Sequence, residues 1–166
     1  MSLLSIGPVR AAQSVPDWDF DEVYRSSWTK VVRLAYVTTG SLGTAEEIAQ
    51  DVFADLYHHR AAVYAPHAWL WRATANRTTS WLRRRVTERR YQHHARPQAH
   101  VPASVTDFMA LLSPLPARQR AALFLRYHED LTVDEIAEVL GCRPGTIKSS
   151  INRALARLRE GMTTDA

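Results

Sequence analysis

The chain has 166 residues, enough for one domain or two very small ones. Hydrophobic residues make up 46% and charged residues 23%, which excludes wholesale disorder, collagen-like repeats and coiled-coil monotony. No run approaches the ~20 apolar residues of a membrane helix, and a single cysteine, Cys142, leaves no disulfide framework and no CxxC metal knuckle.

Met1 to Ala12 lack a basic stretch ahead of their few apolar residues. A secretory signal is therefore not expected, and a reduced cytoplasmic setting is. Neither a glycine-rich phosphate loop nor a Ser/His/Asp arrangement can be traced, so no enzyme is expected and no cofactor is implied. The paired histidines His58-His59 and His93-His94 do not suggest a metal site. Adjacent residues diverge by about 100° on a helix, and no carboxylate or thiol cluster supports them.

Net charge is only +4, but it is unevenly laid out. Residues 17–60 carry eight acids and four bases, net −4. Residues 67–97 carry eight arginines against one acid, Glu88. Residues 143–159 carry five bases and no acid. Two basic zones suit two contacts with a polyanion, and the acidic zone suits a separate protein surface. Charge runs that are merely solvated helix faces are the competing reading.

Glycine is scarce and no strand-like alternation is sustained, so an all-α fold is expected. The first helix starts near Asp17 or Asp19, with Phe20, Val23, Tyr24, Val31, Leu34 and Ala35 as its apolar stripe and Ser27 as a polar gap. Gly40 and Gly43 bracket a turn. A second helix is expected after Thr44, with Glu47 completing a capping box and a regular stripe from Ala45 to Tyr57. Pro66 suits the first turn of a third helix, which runs through Trp69, Leu70, Ala73, Arg77 and Trp81 to Arg83-Arg84-Arg85. Trp69 and Trp81 read as core.

From residue 92 to 104 the periodicity stops, and two prolines mark a flexible linker. The domain plan is then an extension over 1–16, a helical domain over 17–91, the linker over 92–104, a second helical domain over 105–160 and a tail over 161–166. The extension and the end of the tail are expected to be disordered.

The sharpest local signal runs from Leu131 to Lys148. Thr132 and Glu135 form a capping box. Ile136, Ala137 and Leu140 make a buried face, Gly141 suits a left-handed helix end, and Pro144 opens the next helix. Ile147, Ile151 and Leu155 face inward. Thr146, Lys148, Ser149, Asn152, Arg153 and Arg157 face outward, all without acidic charge and suited to phosphates and major-groove base edges. This is a helix-turn-helix pattern. A plain helical hairpin with a solvated face would not need all of these features together.

Several motifs carry a family resemblance. They are Ala45 to Phe53, then Ala68-Trp69-Leu70-Trp71-Arg72 with Asn76 and Leu82 to Arg85, then Leu115-Pro116, Arg118-Gln119-Arg120 and Gly145 to Arg159. In order and spacing they resemble regions 2 and 4 of bacterial RNA polymerase sigma factors of the extracytoplasmic-function type. The resemblance covers roughly residues 17–91 and 108–159. It implies two small all-α domains, a region 2-like bundle and a region 4-like helix-turn-helix. It also implies a subunit that binds core RNA polymerase, recognises −35 and −10 promoter elements and promotes DNA opening.

By that resemblance Glu47, Gln50 and Asp51 contact the polymerase. Tyr64, Arg72, Asn76, Arg77, Arg83 and Arg84 meet the −10 element as single strand, with the loop from His59 to Pro66 forming a base pocket. Arg143, Thr146, Lys148, Ser149, Asn152, Arg153 and Arg157 meet the −35 duplex. Lys148, Ser149, Asn152 and Arg153 take the base-edge roles, and Arg143 and Arg157 touch phosphate. Partners implied are core polymerase, promoter DNA and an anti-sigma protein. A stand-alone helix-turn-helix regulator is the alternative that the residues leave open.

Overall fold

The computed structural model describes residues 16–89 and 103–164, and every regular element among them is helical. Helix α1 spans Phe20–Thr39, α2 Leu42–His59, α3 Pro66–Arg89, α4 Ala103–Leu112, α5 Ala117–Leu123, α6 Val133–Leu140 and α7 Pro144–Thr164. A 3₁₀ turn, Arg60–Ala62, follows α2, and a π turn, Phe124–His128, follows α5. Among the described residues no helix is long and apolar enough to cross a membrane.

Most helix ends fall where their residues dictate. Asp19 caps α1 by accepting from the Asp21 N–H, and Gly40 closes it in the left-handed region at φ 73°. Pro66 opens α3 and Pro144 opens α7. The start of α2 differs from expectation. Ser41, not Thr44, is its N-cap, and the helix begins at Leu42. Ser41 follows directly on the left-handed Gly40, so its hydroxyl reaches the free amides first and accepts from Thr44 N–H at 3.4 Å. No capping box then engages Glu47, and Gly43 sits inside the helix. At the other end α7 continues to Thr164, past the expected domain end at 160. Residues 1–15 of the extension over 1–16 and most of the linker lie outside the described residues; the last two linker positions already belong to α4.

Two cores result. Val31 and Ala35 of α1 pack with Ala49, Val52 and Leu56 of α2 and Leu70 of α3. Trp69 and Trp81 lie half-buried against this core. The second core gathers Leu112, Leu115, Ala122, Phe124, Leu125, Ile136, Ile147 and Ile151, but also Leu34 and Val37 of α1 and Ala75 of α3. Helix α1 therefore has two apolar faces, one for each core, and the halves are packed together rather than merely tethered.

Polar contacts lock this seam. The Arg120 guanidinium, in α5, donates to the carbonyls of Val37 at 2.6 Å and Thr38 at 2.8 Å, and to its neighbour Leu115 at 2.6 Å. The Gly40 N–H takes the Tyr36 carbonyl. Helix α1 has no basic residue in its last turn, so the cation that its orphan carbonyls favour comes from the other half of the chain. Burial pulls the Arg120 pKa below its ordinary value. Nearby, Lys30 pairs with Glu129 at 3.2 Å, and that carboxylate, only 5% exposed, also accepts from His128. Glu129, which reaches α1, directly follows the π turn.

Candidate nucleic-acid interface

Helix α6 and the turn after it form as the pattern requires. The Thr132 hydroxyl accepts from the Glu135 N–H, and the Glu135 carboxylate accepts from the Thr132 N–H at 2.7 Å. Hydrogen bonds from the Thr132 backbone and hydroxyl hold the Glu135 pKa below its ordinary value. Gly141 is left-handed at φ 64°, with its N–H on the Ala137 carbonyl. Arg118 of α5 donates to the Leu140 carbonyl at 3.0 Å, a second arginine capping a helix other than its own. The buried face of α6 is Ile136, Ala137 and Val139, and Leu140 is only half-buried. Val139 lies about 300° on from Ile136, hence on its core side, where it meets α3.

Helix α7 buries Ile147, Ile151 and Ala154. Thr146, Lys148, Ser149, Asn152, Arg153 and Arg157 are all exposed, and Arg143 is exposed in the turn before them. At about 100° per residue, Ser149, Asn152 and Arg153 stand opposite the core, with Lys148 on one flank and Thr146 and Arg157 on the other. This is a convex polar arc of donors, of a width suited to a major groove.

In the first half, α2 buries Ala45, Ile48, Ala49, Val52, Phe53 and Leu56. Glu47, Gln50 and Asp51 are exposed together on its far side. On α3, Arg72, Asn76 and Arg83 fall within about 40° of one another, a single exposed stripe with an amide between two cations. Arg77 does not share it. Its guanidinium turns to α2 and pairs with Asp51 at 3.1 Å and with Asp55. Arg84 is exposed on the same side as Arg77.

The loop before α3 is anchored at both ends. The Trp18 indole N–H donates to the Val63 carbonyl at 2.7 Å, and the His59 and Trp69 rings lie 6.5 Å apart. Tyr64 projects between these anchors, 58% exposed. Arg60 stacks over the Tyr57 ring at 4.0 Å, which adds a cation and an exposed aromatic face beside the loop. Arg60 and Asp55 are the groups that reading the residues passed over. The spacing of Asp51 and Asp55, one turn apart, was the available signal for Asp55. His58 and His59 turn Nδ1 to the carbonyls of Ala54 and Asp55 in their own helix, and His93 and His94 lie outside the described residues.

Helix α6 packs against α3. A cleft between them is lined by Trp71 and Arg72 on one side and by Glu135 and Glu138 on the other. One end of the α3 stripe thus faces acidic charge from the second half.

The chain is similar to several known proteins. Residues 106–158 match the family described as Sigma-70, region 4. The chain is 32% identical over 165 residues to the ECF RNA polymerase sigma factor SigE of Mycolicibacterium smegmatis, covering 89% of this chain and 62% of that protein. It therefore spans less than two thirds of that relative's length. With the RNA polymerase sigma-E factor of Streptomyces coelicolor it shares 30% identity, over 86% of this chain and 85% of that one. Among solved structures, the sigma factor RpoE in complex with the anti-sigma factor NepR, from Bartonella quintana, superposes with a TM-score of 0.72 at 25% identity, covering 89% of this chain and 99% of that chain. A helix-turn-helix half matching region 4, joined to a helical half aligned along such relatives over most of their length, makes this chain a member of the ECF group of RNA polymerase sigma factors.

Proposed function

We propose that the chain is a sigma subunit that joins core RNA polymerase in the cytoplasm, recognises −35 and −10 promoter elements and promotes DNA opening. The observation that carries this reading is the layout of three exposed faces on one packed chain: the acidic side of α2, the cationic stripe of α3 and the acid-free arc of α7. A duplex-binding regulator would need only the third.

Glu47, Gln50 and Asp51 orient the polymerase through a basic, polar surface, where charge complementarity sets register and speed of encounter. On α7, Lys148, Ser149, Asn152 and Arg153 reach base edges of the −35 duplex, and Arg143, Thr146 and Arg157 hold its backbone. Asn76 hydrogen-bonds an unpaired base, Arg72, Arg83 and Arg84 follow the strand's phosphates, and Tyr64 lines the pocket that receives a base. Opening follows from trapping: the chain binds exposed bases and not paired ones, so it shifts the equilibrium toward the open strand. The chain itself makes and breaks no covalent bond. An anti-sigma protein is a further partner in this reading, supported by the likeness to a sigma factor crystallised with one.

The test is a charge reversal, Glu47→Lys with Asp51→Lys. Both side chains are exposed, so helicity is retained. Core polymerase binding is expected to be lost, and unchanged core affinity would overturn the assignment of this face.

A further inference from the structure

Arg77, unlike Arg72 and Arg83, lies off the exposed stripe of α3, on the side it shares with Arg84. It lies about 100° around the helix from Asn76, on the side of α2. Its Nη1 donates to Asp51 Oδ2 at 3.1 Å, and its Nη2 donates to Asp55 Oδ2. Asp51 and Asp55 are one turn apart on α2, so a single planar fork spans both carboxylates. The acidic face proposed to meet the polymerase therefore already holds an internal cation at one of its three positions. Glu47 has no ion-pair partner among the described residues, and Gln50 is uncharged.

The tie is built to be exchanged. The side chains of Arg77, Asp51 and Asp55 remain 39%, 64% and 43% exposed. Ion pairs in such surroundings are weak, because water and salt compete with each partner. A basic surface that approaches Asp51 competes directly with Arg77 Nη1. Asp55 sits one turn further along and keeps its hold on Nη2. Arginine has five N–H donors, so a guanidinium retained by one carboxylate still has donors for a phosphate.

We propose that Arg77 couples polymerase docking to capture of the −10 strand: the polymerase takes over Asp51, and the prong of Arg77 so released binds the backbone of the unpaired strand. In the free chain Arg77 stands in for the polymerase, and in the holoenzyme its released prong serves the strand beside Arg84, on the α2 side of α3. The coupling is reciprocal, so a bound strand strengthens docking by the same factor. The inference rests on Asp51 being a docking residue, and it makes Arg77 a positioning residue rather than a simple phosphate contact.

The test uses the full chain with core polymerase and two variants, Arg77→Ala and Arg77→Lys. Arg77→Ala removes the internal competitor, so core affinity is expected to rise about threefold. The same variant costs the holoenzyme a strand contact. Its affinity for a fluorescently labelled, mixed-sequence single strand is expected to fall about fivefold, with a salt dependence shallower by about 0.7 in log–log slope. Arg77→Lys keeps a cation for the strand and is expected to restore strand affinity to within about twofold. Unchanged or weaker core binding by Arg77→Ala would overturn the coupling, as would equal strand binding by the parent and Arg77→Ala holoenzymes. Circular dichroism of each variant checks that α2 and α3 remain helical. Asp51→Asn separates the two layers: no loss of core affinity sinks the docking assignment itself, whereas a loss of core affinity without a gain in Arg77→Ala sinks only the coupling.

Discussion

Helices α3 and α7 are both long, cationic and rich in hydrogen-bond donors, yet they are mounted differently. The donors of α7 stand on an arc whose residues from 143 to 159 include no acid, presented by a capping box and a left-handed glycine that are complete within residues 132–147. Those of α3 are entangled. Arg77 is tied to two carboxylates of α2, and Arg72 lines a cleft opposite Glu135 and Glu138 of α6. Duplex DNA presents phosphates and groove edges without rearrangement, so a preset face suits it. In the proposed function the unpaired strand exists only once the polymerase is in place, and a face held back by internal charge suits that order of events.

The largest break in this contrast comes from the seam. Arg120→Ala removes charge-assisted hydrogen bonds to the Val37 and Thr38 carbonyls and leaves the end of α1 without its cation. Stability should fall by about 3 kcal/mol, and Tm by roughly 6–10 °C, read by thermal unfolding. Trp71 packs against the core that spans both halves, so its fluorescence should shift to the red as well. A variant with unchanged Tm would mean that the Arg120 hydrogen bonds do not hold the halves together.

A smaller effect should sharpen the contrast from the α7 side. Arg153→Ala is exposed and leaves the core intact. It should weaken binding to a −35 duplex by about 2 kcal/mol, roughly thirtyfold, with single-strand and core binding unaltered. Equal losses on every DNA sequence would reduce Arg153 to a phosphate contact.

The smallest effect is a matter of pH. Hydrogen bonds from Thr132 lower the folded pKa of Glu135. Its capping contribution is therefore fully present above the ordinary glutamate pKa and is lost as pH falls through the depressed folded value. Thermal unfolding of the parent and of Glu135→Ala should converge in strong acid and differ at neutral pH. A difference that persists unchanged into acid would contradict this role.

Local chemistry in this chain was legible and long-range pairing was not. Thr132 with Glu135, Gly141, Pro144 and the Ile147–Ile151 spacing each declare themselves within one or two turns, and the helix-turn-helix followed from them. The family motifs extended that reading to the other half. Thr44 with Glu47 satisfies the same capping pattern as Ser41, and only the left-handed Gly40 beside Ser41 decides between them. Arg77 reads like every other arginine of its helix until Asp51 and Asp55, more than 20 residues away, are in place. Arg120 belongs to a motif quoted for the family, but its partners at Val37 and Thr38 are more than 80 residues distant. Nor does one periodic stripe announce that α1 serves two cores; Leu34 and Val37 sit at its edge and find their partners only in the second half.

Transcription itself tests the account most directly. The purified chain is added to sigma-free core polymerase with a genomic promoter library, and the run-off transcripts are sequenced. The account predicts new, discrete start sites whose upstream DNA shares two spaced elements, and their loss with Glu47→Lys and Asp51→Lys. Transcripts that start at the same places with and without the chain, while the chain alone binds duplex DNA tightly, would contradict it.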